Sequence, residues 1–258
     1  VSNCVLTAGH VRHTGDGVYS GMLGGNLYLC NAMAVDCLVS SGSVENVNGA
    51  GGGVNVAMTG SSQLLRCQVT GGYRTGPSVT RVADLSGGSG VYANGSSLIE
   101  NCLVADNAGS YGAVVLKNGA VVRNCTIAGN HDNHADLNGI ILQGNCSAIN
   151  CALYNSTTNT VGEWGGANGA KFENCAASME IVGGSNCIVL PQSVSATFRD
   201  TTSYCPSASS LLRDAGTCYL GTDKSLYGVD LRHRARFVGK APDIGCHESS
   251  GGLMLIVR

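Results

Sequence analysis

Thirteen cysteines in 258 residues are the first candidates for chemistry, as thiolate ligands, redox pairs or disulfides. Seven of them share one setting, a polar residue, Cys, any residue, then an apolar one: Asn3-Cys4-Val5-Leu6, Asp36-Cys37-Leu38-Val39, Arg66-Cys67-Gln68-Val69, Asn101-Cys102-Leu103-Val104, Asn124-Cys125-Thr126-Ile127, Asn150-Cys151-Ala152-Leu153 and Asn174-Cys175-Ala176-Ala177. That regularity reads as an interior file of small fillers rather than as reactive sulfur. Cys30, Cys146, Cys187, Cys205, Cys218 and Cys246 fall outside the file. Of these, Cys205, Cys218 and Cys246 are the best disulfide candidates, and an odd total leaves at least one free thiol in a monomer.

The densest set of other ligands is His131, Asp132, His134 and Asp136, in a polar stretch between two repeats. Its imidazoles suit zinc and its carboxylates calcium, but the spacing matches no established metal motif. The expectation is therefore no cofactor, with Ca or Zn on this stretch as the alternative. His10, His13 and Asp16 form a weaker set of the same kind. For polysaccharide cleavage the acids Asp84, Glu100, Asp106, Glu163 and Glu173 are scattered, with no adjacent pair to share general acid and base roles. Tyr92, Tyr111, Tyr154 and Trp164 are the aromatics that could stack on sugar rings.

The elements that must position these residues follow from the repeat. Successive repeat cysteines are 33, 30, 35, 23, 26 and 24 residues apart, the period of a solenoid. Around each cysteine the pattern alternates, so that Cys125 and Ile127 share one face and Thr126 the other. The position three before the cysteine is apolar at Leu64, Ile99, Val122, Ala148 and Phe172. The polar residue just before the cysteine breaks the alternation and marks a bend, and Asn101, Asn124, Asn150 and Asn174 are expected to stack there as an amide ladder. Glu100 and Arg123 would then be vertical neighbours, an ordinary surface pair. Val91, Val114 and Ile140 each lie eleven residues before their cysteine, opening the opposite wall of the coil.

Abundant glycine and scarce charge favour strands and tight turns over helices. These features give an all-β fold, a single-stranded right-handed parallel β-helix, with coils over residues 1–190 and an irregular capping segment over 191–258. A formal charge of −2 offers no attraction for nucleic acid, and no apolar run is long enough for a transmembrane helix. The start at Val1 reads as a mature or trimmed product. The terminal run Leu253, Met254, Leu255, Ile256 and Val257 reads as a buried strand that either folds back on the rod or augments a neighbouring copy.

The coil pattern, NC-x-apolar followed by x-x-Asn and a Gly-led strand, resembles secreted bacterial right-handed parallel β-helix proteins, the pectate-lyase-like and polymorphic outer-membrane-protein repeats. The segment DLRHRARFVGKAPDIGCHE, from Asp230 to Glu248, resembles the terminal motif of bacterial surface β-helix proteins, DL-x-G-x-x-R followed by DIGAYE. It departs from that motif with His233 in place of glycine and Cys246-His247 in place of Ala-Tyr. The resemblance implies export to the cell surface or medium and names no reaction. The expected role is a structural or adhesive surface module, self-associating head to tail or contacting cell-surface glycans. The rivals are a polysaccharide lyase or glycoside hydrolase and a glycan-binding module without turnover.

Overall fold

The computed structural model describes residues 1–13, 23–46, 53–75, 89–109, 112–132, 137–155, 162–167, 169–220 and 228–249. The chain winds as a parallel β-solenoid in which every described sheet pairs each strand with its counterpart one coil away. The eight-stranded sheet holds the strands that follow each cysteine, from Val5–Thr7 through Leu103–Ala105 and Thr126–Ala128 to Ile188–Val189. A six-stranded sheet collects the segments just upstream, such as Leu98–Glu100 and Val121–Arg123. The second six-stranded sheet is the expected opposite wall, including Val91–Asn94, Val114–Lys117 and Leu137–Gln143. A fourth, five-stranded sheet of short strands, His10–His13, Ser43–Asn46, Tyr73–Thr75, Ala108–Gly109 and His131–Asp132, was not legible in the sequence.

Register turns the repeat into a core. Ala34, Leu64, Ile99, Val122, Ala148 and Phe172 stack in one column. Val39, Val69, Val104, Ile127, Leu153 and Ala177 stack in another, and all six are sealed from solvent. Burying one such branched side chain contributes about 1.5–3 kcal/mol, so the columns are the main cohesive force. Between these two sheets the chain bends at the residue before each cysteine, which takes a left-handed backbone at Asn3, Asp36, Arg66, Asn101, Asn124, Asn150, Asn174 and Asn186. Asparagine enters this region at lower cost than most residues, which explains its dominance there.

From Leu190 the chain leaves the coil and runs as a strap along the outer face of the eight-stranded sheet. Leu103, Ala105, Ala128, Ala152, Tyr154 and Ala176 on that face form a second core with Phe198, Tyr204, Leu212, Ile244 and Cys246 of the strap. The strap is pinned by hydrogen bonds from Cys246 N to Thr126 Oγ1 (3.0 Å) and from Gly245 N to the Asn150 carbonyl (2.8 Å). A short helix, Val194–Thr197, leads into Phe198, whose ring meets Tyr154 and Tyr204 edge to face. No described helix is long and apolar enough to cross a membrane.

Candidate functional site

The cysteine file is a structural spine. Cys37, Cys67, Cys102, Cys125, Cys151 and Cys175 are buried in the main core. Each thiol turns back toward the carbonyl two residues earlier, as from Cys102 Sγ to Glu100 O and from Cys125 Sγ to Arg123 O, both 3.2 Å. Sulfur also accepts from the coil before it: Cys67 N donates to Cys102 Sγ and Cys102 N to Cys125 Sγ, each at 3.4 Å. Burial raises the Cys102, Cys125 and Cys175 thiols above their ordinary range, so they stay protonated and unreactive. Cys187, expected outside the file, interacts with Cys175 as its next member.

All thirteen cysteines are free thiols, so the pairing expected among Cys205, Cys218 and Cys246 is not made. Cys205 and Cys246 instead stay on the strap as buried single thiols. The bend asparagines depart from the expected mutual ladder as well. Asn150 Nδ2 does reach Asn124 Oδ1 at 3.1 Å, but Asn124 Nδ2 donates to Tyr219 Oη (2.7 Å) and Asn101 Nδ2 to the Val229 carbonyl (3.0 Å). Their amides are hooks for the strap. An interior amide ladder stands at another corner, where Asn107 Nδ2 donates to Asn130 Oδ1 (2.9 Å) and Asn130 Nδ2 to Asn155 Oδ1 (2.8 Å).

Other expected site residues are taken up by the scaffold. Glu100 and Arg123 are not an ordinary surface pair: they form a two-point salt bridge (2.8 and 3.0 Å) under the Tyr219 ring, whose hydroxyl donates to Glu100. Asp106 accepts from Tyr204, Tyr154 is buried in the second core, and the Trp164 indole donates to the Glu180 carbonyl. His131 and Asp132 lie on a strand of the short sheet, while His134, Asp136, Tyr111, Asp84 and Leu253–Val257 lie outside the described residues. Among the described residues no three His, Cys, Asp or Glu converge as metal ligands. His10 instead places Nδ1 2.8 Å from Ser43 Oγ and Nε2 3.7 Å from Glu45. That outlines a serine–imidazole–carboxylate relay, but Ser43 is only 5% exposed, too deep for its hydroxyl to meet a substrate carbonyl.

The terminal motif builds a buried polar lock. Asp230 Oδ1 accepts the Arg232 and Arg234 amides (both 2.8 Å), and Oδ2 accepts the Glu248 amide (2.8 Å) and the Arg234 guanidinium. Glu248 Oε2 accepts from Asp243 N (3.0 Å), and Arg236 donates to the Asp243 carbonyl. Asp230, Arg236, Asp243 and Glu248 are each at most 1% exposed, so the motif holds the strap closed.

One cluster keeps chemistry within reach of solvent. A recess of about 350 Å³ opens where the strap stops covering the eight-stranded sheet. Arg66 grips Asp36 at two points, Nε to Oδ1 at 2.8 Å and Nη2 to Oδ2 at 3.0 Å. His233 brings Nε2 to 3.2 Å from Asp36 Oδ1 from the strap side. Asn3 and Gln68 line the same recess, over a floor that includes Val5 and Leu38. Sequence reading missed it, because Asp36 and His233 are brought together only when the strap folds back. The chain matches no family model, and no curated protein matches it.

Proposed function

We propose that this protein is an extracellular structural or adhesive surface module, a rigid solenoid that associates through its ends and sides rather than a catalyst. The observation that carries the reading is the use made of ionisable groups: Asp230, Arg236, Asp243 and Glu248, each at most 1% exposed, fasten the strap to itself, while Gly245 and Cys246 beside them pin it to the coil. A strap locked over one sheet suits a load-bearing rod better than a site that must open and close. The likeness of that motif to bacterial surface proteins supports export. Val182 and Val189, both more than half exposed at the last coil, suit edge-to-edge association with another copy.

Negative-stain electron microscopy together with sedimentation of the purified chain tests the assembly; a monodisperse monomer at high concentration counts against it. Turnover of acidic polysaccharides, with or without calcium, would favour the enzymatic rival. A second reading, glycan binding without turnover, is favoured by the solvent-facing recess around Asp36.

A further inference from the structure

We propose that the recess around Asp36 is a subsite for one or two rings of a neutral saccharide, an inference that rests on the glycan-binding reading and gives it a place and a ligand class. The first ground is backbone cost. Seven of the eight bends before a repeat cysteine carry Asn or Asp, and the exception is Arg66, held at a φ of +49°. His233 takes a φ of +59° where the related motif has glycine, which would adopt that turn without strain. Two residues that depart from the economical choice at their own positions therefore converge on the same carboxylate.

The second ground is exposure. Val5, Leu38 and Gln68 belong to the column continued by Leu103, Thr126 and Ala152, which the strap buries. At the first coils the column is only partly covered, with Val5 69% exposed and Leu38 half-buried, and this aliphatic floor suits the apolar face of a sugar ring. The His233 side chain is 60% exposed, so its ring presents polar edges to the recess.

Charge selects the ligand. Asp36 neutralises Arg66, so the site has little net attraction for a uronate or phosphate. The remaining guanidinium N–H groups, the imidazole, the free lone pairs of Asp36 and the amides of Asn3 and Gln68 form a mixed donor and acceptor rim. That rim matches vicinal hydroxyls, each of which donates and accepts.

The test uses the full chain on an array of neutral and uronic oligosaccharides, followed by calorimetric titration of the best neutral ligand. His233→Gly and Arg66→Asn are the informative variants, because each installs the residue its backbone prefers. The expected result is neutral-saccharide binding in the native protein and at least a tenfold loss in each variant, with urea midpoints that do not fall. Retained affinity in both variants overturns the proposal, as does preference for uronic ligands or no neutral-glycan binding at millimolar concentration. The scaffold reading is judged separately by microscopy and survives any of these failures.

Discussion

At the scale of single residues, the cysteines show how one side chain can serve a repeat. A thiol is small enough for the narrow corner after the left-handed bend, and it offers both a weak donor and a weak acceptor to backbone of its own and adjacent coils. Cys125→Ala removes the acceptor for Cys102 N and leaves a small void, so a loss of about 1–3 kcal/mol in urea unfolding is expected. Accessibility supplies a second expectation. Cys30 is exposed, Cys4, Cys187 and Cys218 are intermediate, and the other nine cysteines are buried. A thiol reagent should therefore modify one sulfur quickly, three slowly and nine only in denaturant; rapid modification of all thirteen would contradict the buried file. This file was legible because the spacing placed equivalent positions over one another. The roles of Arg66 and His233 were not, since a deviation carries meaning only when the backbone angle at that position is known.

Elements explain what the repeat left obscure. The corner that houses the interior amides is filled from either of two sides, a wall strand or the turn after the cysteine strand. In the early coils Asn26 and Asn55 supply the amide, and Gly9 and Gly42 face them. In later coils Asn107 and Asn130 supply it, and Gly90 and Gly139 stand in the column that held Asn26 and Asn55. The handover coil has glycine on both sides, Gly72 and Gly90, because Asn55 and Asn107 both intrude there. A methyl at Gly72 would lie 2.8 Å from Asn55 Cβ and 2.9 Å from the Ser89 carbonyl, neither of them free to swing away. Gly72→Ala should cost about 1–3 kcal/mol in a denaturant titration, as overpacking does, and a neutral result would mean that the corner is loose. The exchange is invisible in sequence because segments of varying length separate the two columns. The fourth sheet escaped for a related reason: its strands of two to four residues are too short to show alternation.

Across the whole molecule, fold class and coil order were readable because stacking repeats one pattern many times. The path of the strap was not readable, since contacts such as Tyr219 with Glu100 and Cys246 with Thr126 join residues 119 and 120 positions apart and follow no period. The strap also gives the rod its pH dependence. Burial, with Arg232 adding to it, pushes the His247 ring down from 6.5 to about 4. The folded chain then holds fewer protons on this ring than the unfolded chain, so the contribution is complete above pH 6.5 and drains as pH falls toward 4. Burial and the Asp243 carboxylate push Glu248 up from 4.5 to about 8, against the opposing pull of Arg236. Its contribution is complete below pH 4.5 and drains as pH rises toward 8. The two slopes offset each other between pH 4.5 and 6.5, where the urea midpoint should be flat before it falls on the alkaline side. Glu248→Gln removes one slope and exposes the other, a fall of about 3 kcal/mol from pH 6.5 to 4. His247→Gln should expose the reverse, a decline running from pH 4.5 to 8. Unfolding the native protein and both variants in urea across pH 4–9 reads these slopes directly. If all three profiles run parallel, neither buried group is titrating with folding, and the lock draws its strength from hydrogen bonds that pH does not reach.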